Sequence, residues 1–136
     1  MANSQSKPKK ISIQYSPGIY RVTFDISPES FMTIIANQEL ELFYLHGVHI
    51  HDKQSFIASL AETAKFPDYA QTNWDSLEEC LRDLSWCPAA GYVIFYQGIE
   101  PFQTTAPDDW ATALEILATA VDFWKDTNTP MYVFLE

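Results

Sequence analysis

The sequence predicts an α/β fold with a small three-stranded parallel sheet, helical crossovers and an amino-terminal extension of strand and helix elements. Three segments carry this prediction because each is apolar almost throughout: "LELFYLHGVHI", "AGYVIFYQG" and "PMYVFLE". Strands without polar alternation are typical of sheets buried on both faces, as parallel sheets usually are. Segments with helical periodicity separate the three, as the crossovers of a parallel sheet require.

The length of 136 residues is that of one domain with a sizeable core. We expect a flexible tail at residues 1–10, an extension at 11–38 and the main domain at 39–136. Eighteen acidic against eight basic residues give a formal net charge of −10. Such a charge disfavours direct binding to nucleic acid or anionic membranes and attracts cationic partners. No apolar run approaches the roughly 20 residues that span a bilayer, and we expect a cytoplasmic protein.

The extension begins with two β-rich runs, "KISIQY" and "GIYRVTFD", and the Ser16-Pro17 step between them allows a hairpin. A helix is predicted next, with Ser27 as its N-cap and Pro28 at its first position. The sequence leaves open whether these first 38 residues extend an edge of the sheet or cover one of its faces.

Two later helices show apolar residues at helical spacing. The first, "DKQSFIASLAETAKF", precedes the central motif, and the second, "DDWATALEILATAVDFWKD", precedes the last strand. Their predicted inward residues are Phe56, Ile57, Leu60 and Ala64 in the first, and Trp110, Leu114, Leu117 and Val121 in the second.

A third helix, in "TNWDSLEECLRDL", carries the most unusual charge pattern of the chain. Its inward stripe consists of Trp74, Leu77, Leu81 and Leu84, with Cys80 beside it, and its outward side carries Asp75, Glu79, Arg82 and Asp83. Like charges four residues apart destabilise a helix by about 0.2–0.5 kcal/mol per pair. Thr72 and Asp75 fit a capping box. The pattern alone is consistent with an ordinary solvated face or with a binding face.

Residues 67–81 combine "PDY", a short loop and "NWDSLEECL" without a gap. This series resembles the signature of the barstar family of ribonuclease inhibitors, which reads Pro-acid-Tyr, a loop, then Asn-x-Asp-x-Leu-x-acid-Cys-Leu. The order strand, helix, motif, strand, helix, strand over residues 39–136 agrees with the same family. The resemblance implies a barstar-like fold and a protein that works by binding rather than by catalysis.

Barstar-family inhibitors block an active site with this loop and the start of this helix. The resemblance implies that Asp75 and Glu79 face a cationic cleft, while Tyr69 and Asn73 supply aromatic and polar contacts. The full set of partner-binding residues that we carry over is Tyr69, Asn73, Asp75, Glu78, Glu79 and Asp83. Two alternatives stay open: Tyr69 as a core residue and Asn73 as the N-cap of the helix.

The implied function is inhibition of a basic ribonuclease, and the implied partner is a basic extracellular-type ribonuclease or a toxin domain. The alternative is an immunity or interaction protein of the same fold that binds an unrelated partner or itself. Glu79 stands where the family has Asp. Glu78 and Gln71 stand where the characterised inhibitor of the family has Trp and Gly, respectively. Because these positions lie in the implied contact surface, we expect a partner other than barnase itself.

Other residue patterns give weaker indications. His49 and His51 would share one side of an extended strand near His46, which is a weak pattern for a metal site. No nucleophile elbow or phosphate-binding loop is recognisable, so we expect no enzyme activity, no cofactor and no metal. Cys80 and Cys87 would lie about 10 Å apart along a helix, too far for a disulfide, and we expect reduced thiols.

Overall fold

A computed structural model describes residues 16–23, 27–36 and 38–136 of the chain. The described strands are β1 (Ile19–Arg21), β2 (Glu41–His46), β3 (Tyr92–Gln97) and β4 (Met131–Leu135). The described helices are α1 (Pro28–Ala36), α2 (Lys53–Thr63), α3 (Trp74–Asp83), α4 (Glu100–Thr105) and α5 (Pro107–Lys125). None of the helices in these ranges is long and apolar enough to cross a bilayer.

The four strands form one parallel sheet in the order β1-β4-β3-β2. Ile94 of β3 lies opposite Phe43 of β2 on one side and Val133 of β4 on the other. The predicted α/β class with a parallel sheet is therefore confirmed. The predicted number of three strands is one too few, because Ile19–Arg21 adds an edge strand beside β4.

Side chains of the central strand β3 point alternately into two apolar layers. Tyr92, Ile94 and Tyr96 join the larger cluster, which the sheet forms with α2, α3 and α5. Val93 and Phe95 join the smaller cluster on the opposite face, against α1. All five are almost fully buried, which accounts for the apolar character of this strand along its whole length.

The segments before residue 38 both extend the sheet and cover it. β1 pairs with β4 at the edge, and α1 packs its Phe31 ring 4.7 Å from the ring of Phe95 on the sheet face. The predicted N-cap is confirmed, since the Ser27 hydroxyl accepts a hydrogen bond from the backbone N–H of Ser30 at 3.1 Å. The predicted tail at residues 1–10 and the first β-rich run, ending at residue 15, lie outside the described residues.

Strand β2 ends at His46, directly before Gly47. A 3₁₀ turn at Gly47–His49 follows, where Gly47 lies against Gly98 at the end of β3. A Cβ atom on Gly47 would overlap the carbonyl oxygen of Gly98. The backbones approach so closely that only glycine fits at position 47. His49 therefore lies in the 3₁₀ turn, and the extended backbone that would set His49 and His51 on one side of a strand is not formed.

Candidate functional site

The N-cap of helix α3 is Asn73, not Thr72. The Oδ1 atom of Asn73 accepts a hydrogen bond from the backbone N–H of Ser76 at 2.8 Å, and Asn73 has the extended backbone of an N-cap. The predicted capping box of Thr72 and Asp75 is therefore wrong, and the alternative of Asn73 as the cap is confirmed. Asp75 lies in the first turn, where its charge complements the helix dipole.

The inward face of α3 anchors it to the core as predicted. Leu77, Leu81 and Leu84 are 0–1% exposed, and Cys80 is also buried. A second anchor comes from α5, because the indole N–H of Trp124 donates a hydrogen bond to the carbonyl oxygen of Leu81 at 2.7 Å. The helix therefore holds its outward residues on a fixed support.

Trp74, the first residue of the predicted stripe, is only half-buried. Its ring lies 6.4 Å from the ring of Phe56 in α2, and the ammonium group of Lys53 lies 5.5 Å from the centre of the Trp74 ring. A cation over an indole face is attracted to it. This pair ties the amino-terminal ends of α2 and α3 together.

Three acids of the predicted set, Asp75, Glu79 and Asp83, are exposed along α3. None of them forms an ion pair with any residue in the described ranges. Glu78 differs, because it is half-buried and its carboxylate lies 4.0 Å from the guanidinium of Arg82, one turn further along the helix. Three carboxylates on α3 are thus free to meet cations of another molecule, while Glu78 already has a counter-charge.

The segment before α3, residues 67–72, forms a loop that is hydrogen-bonded to the first turn of the helix. Its own turn is closed by a bond from the N–H of Ala70 to the carbonyl oxygen of Pro67, at 3.0 Å. The N–H of Gln71 donates to the hydroxyl of Ser76 at 2.8 Å. The side-chain amide of Asn73 donates to Oε1 of Gln71 at 3.3 Å. We call this segment the 67–72 loop.

Tyr69 projects from the 67–72 loop and is 70% exposed. The alternative of Tyr69 as a core residue is therefore wrong. Partial loss of solvent around its hydroxyl raises the pKa of Tyr69, and the negative charges of Asp83 and Glu79 raise it further. The loop that carries Tyr69 is hydrogen-bonded to the first turn of α3, so the exposed phenol and the exposed acids lie on adjoining segments.

Two residues of this region were not predicted from the sequence. The hydroxyl of Ser76 accepts a hydrogen bond from the loop. Had Asn73 been assigned as the N-cap, Ser76 would have been recognised as the third residue of the helix, the position whose backbone N–H bonds to the cap. Phe123 is 44% exposed on α5, and its ring meets that of Trp124 edge-on at 5.3 Å. Phe123 lies outside the predicted inward residues of α5, which marks it as an apolar residue without an obvious core position.

The histidines lie between the end of β2 and the start of α2. The rings of His46 and His49 are 5.4 Å apart, and His51 lies 3.8 Å from the carboxylate of Asp52. Within the described ranges, no group of three or more His, Cys, Asp or Glu side chains is arranged to hold a metal ion. Cys80 and Cys87 are free thiols.

A scan against models of protein families matches residues 40–136 to the family described as barstar (barnase inhibitor). The chain belongs to the barstar family. The resemblance inferred from residues 67–81 is thereby confirmed. The match spans β2, β3, β4 and every helix from α2 onward, whereas β1 and α1 precede it. A search of curated proteins by sequence found no match to the chain.

Proposed function

We propose that this barstar-family protein inhibits a basic ribonuclease by filling the enzyme's active-site cleft with the acids of α3. One observation carries the proposal: the exposed carboxylates of Asp75, Glu79 and Asp83 have no counter-charge within the described ranges, although α3 is firmly anchored in the core. Like charges on one helix face oppose helix formation. A cationic partner removes this repulsion, and that explains their placement.

A ribonuclease cleft holds RNA phosphates with basic side chains. Carboxylates on a rigid helix occupy the same positions and present no bond to cleave. Residues 67–84 contain five acids and a single base, Arg82, so this segment cannot neutralise itself. The net charge of −10 of the whole chain also favours binding to a cationic enzyme, because it speeds the approach of that enzyme.

Within this proposal each residue has a distinct role. Asp75 and Glu79 face the cationic groups of the cleft, and Asp83 extends the acidic surface toward the end of the helix. Tyr69 provides an exposed ring beside these acids. Asn73 both caps α3 and offers a polar contact, and Glu78 reaches the partner while held by Arg82. The protein acts in the cytoplasm as a non-catalytic inhibitor, on a ribonuclease or on the ribonuclease domain of a toxin.

Titration into a panel of basic microbial ribonucleases, barnase among them, tests the proposal. We expect stoichiometric loss of RNA cleavage by at least one enzyme, with an association constant that falls as salt is raised from 50 to about 300 mM, since screening weakens charge pairs. Sedimentation of the mixture should show a complex of the two proteins. Full cleavage activity across the panel, or a dimer of this chain that excludes every enzyme, would contradict the proposal.

A further inference from the structure

Ser76 joins the 67–72 loop to α3 through a closed ring of three residues. The hydroxyl of Ser76 accepts from the N–H of Gln71 at 2.8 Å, and the N–H of Ser76 donates to Oδ1 of Asn73 at 2.8 Å. The side-chain amide of Asn73 completes the ring by donating to Oε1 of Gln71 at 3.3 Å. Every member of the ring thus bonds both of the others.

The Ser76 side chain lies at the third position of α3 and is half-buried. A hydroxyl oxygen carries two lone pairs, and one of them accepts the hydrogen bond from the N–H of Gln71.

The loop is otherwise held by its own turn, closed by the bond from Ala70 to Pro67, and by the partial burial of these two residues. Phe66, just before the loop, packs its ring against that of Trp86 at 5.9 Å, and Asn73 fixes the other end. Between these two points, Asp68 and Tyr69 are exposed, and so is Gln71. In the described chain, the bond from Gln71 to Ser76 is the one hydrogen bond between residues 67–72 and α3 itself.

We propose that Ser76 is a positioning residue, whose hydroxyl fixes the 67–72 loop on α3 so that Tyr69 and the α3 acids form one preformed surface. Its consequence for binding rests on the proposed function, since the cationic ribonuclease is the partner that this surface meets. A loop that is already ordered loses less conformational entropy when the partner binds. The bond to Ser76 therefore strengthens binding without touching the partner.

Measurements on the free protein test the positioning role directly. Ser76→Ala removes the acceptor and favours the helix, whereas Ser76→Thr keeps a hydroxyl. Ser59→Ala, a serine of α2 that is also half-buried, serves as the matched control. We expect amide exchange at Gln71 to become about 10-fold faster in Ser76→Ala, as loss of one hydrogen bond predicts, with Leu77 and Leu81 unchanged. Wild-type exchange at Gln71, or equal acceleration along the whole helix, would overturn the proposal.

The titration of Tyr69 gives a second readout. Its pKa is raised by surroundings that include Asp83 and Glu79, so release of the loop should return the pKa toward its ordinary value of about 10. We expect this change in Ser76→Ala and not in Ser76→Thr or Ser59→Ala. A Tyr69 pKa that stays raised in Ser76→Ala contradicts the proposal even if α3 remains fully folded.

Binding to a ribonuclease that the wild-type chain inhibits gives the final test. Ser76→Ala should bind about 5–10-fold more weakly, because the loop must be ordered on binding, and with the same salt dependence, because no charge is lost. Equal affinity of Ser76→Ala and wild type would overturn the positioning role while leaving the inhibitor function intact. Failure of the wild type to bind any ribonuclease would refute the proposed function, and the exchange and titration results would still decide the positioning of the loop.

Discussion

Two polar regions of this molecule differ in whether their side chains are bonded to other residues of the chain. At the carboxyl ends of the strands, the hydroxyl of Tyr44 donates to Oε1 of Gln97 at 2.8 Å, and Nε2 of Gln97 donates to the Glu136 carboxylate at 2.9 Å. On α3, by contrast, Asp75 and Glu79 are exposed and have no ion-pair partner in the described ranges. The first region is satisfied within the chain, and the second is available to another molecule.

The difference separates polar groups that stabilise the fold from groups to which the proposed function assigns a role in recognition. α3 is held by its buried leucines and by Trp124, so its outward acids are not required for folding. A linked set such as Tyr44, Gln97 and Glu136 loses a bond whenever one member is removed. Substitutions in the two regions should therefore affect different measurements, binding in one and unfolding in the other.

The largest effect is expected at Glu79. Glu79→Gln should weaken binding to the ribonuclease by about 2–5 kcal/mol, because a cation of the enzyme is left buried without its partner. This range is the general one for charged pairs at protein interfaces, and the barnase–barstar complex is among the systems from which it was drawn. Asp75→Asn should fall in the same range. For Glu79→Gln, the free energy of unfolding of the free protein should stay unchanged or rise slightly, because the like-charge pairs of Glu79 with Asp75 and with Asp83 are both relieved.

Isothermal titration and urea unfolding measure these two quantities. Glu115→Gln, an exposed acid of α5, is the matched control because it changes the net charge equally. If Glu115→Gln weakened binding as much as Glu79→Gln, the effect would come from overall charge, and the assignment of α3 as the contact surface would be wrong.

The second largest effect is expected at Gln97, which is hydrogen-bonded to Tyr44 and Glu136. Gln97→Leu should lower the free energy of unfolding by about 1–2 kcal/mol, because Tyr44 and Glu136 each lose a hydrogen-bond partner and are only partly compensated by water. Ribonuclease binding should not change. Urea unfolding provides the measurement, and an exposed glutamine variant, Gln54→Leu, provides the control. If Gln97→Leu weakened ribonuclease binding without lowering the free energy of unfolding, Gln97 would serve binding rather than stability, and the comparison of the two regions would be wrong.

Asn73 both stabilises α3 as its N-cap and belongs to the proposed contact surface, so its variants can separate the two roles. Asn73→Ala removes the N-cap of α3 and should lower the free energy of unfolding by about 1 kcal/mol. Asn73→Asp keeps the capping oxygen and should retain stability. If both variants bind the ribonuclease more weakly, the side-chain amide contributes a contact of its own. If Asn73→Asp binds like the wild type, Asn73 acts only as a cap.

The smallest effect is a pH dependence at Asp52, the N-cap of α2. Hydrogen bonds from the side chain and backbone of Ser55 lower the pKa of Asp52. Because the folded pKa lies below the unfolded value of about 4, the resulting stability is present above pH 4 and is lost as pH falls through the folded pKa. The side chain is half exposed, so about a few tenths of a kcal/mol is expected.

Asp52→Asn should remove this component, since Asn caps a helix without titrating. Thermal unfolding of both proteins between pH 7 and 2 measures the difference. The wild-type curve should fall more steeply than that of the variant below pH 4. Parallel curves would show that the bonds from Ser55 do not couple the protonation of Asp52 to folding.

The sequence was sufficient for those parts of the fold that depend on local periodicity. The three apolar strands and the inward faces of α2, α3 and α5 follow from patterns within single segments. β1 could not be placed because its partner is β4, at the opposite end of the described chain. A run of three residues carries no information about a partner so distant.

The exposure and pairing of the residues in the proposed binding surface were predicted unevenly, for identifiable reasons. The exposure of Asp75 and Glu79 follows from the helical period, whereas the pairing of Glu78 with Arg82 depends on rotamers that a sequence does not specify. Thr72 and Asn73 are both good caps, and the backbone of the 67–72 loop decides between them. Whether His49 and His51 share one extended strand could not be decided from their spacing, because it depends on the turn at Gly47–His49 and on the contact of Gly47 with Gly98.

The position of β4 has a consequence for how the protein is made. β4 is the last strand in sequence, yet it lies between β1 and β3 in the sheet. During synthesis β1 leaves the ribosome before β4, so the pairing of β1 with β4 cannot form until β4 emerges. β4 then pairs with β1 on one side and with β3 on the other, which joins β1 to the sheet in a late, long-range step of folding.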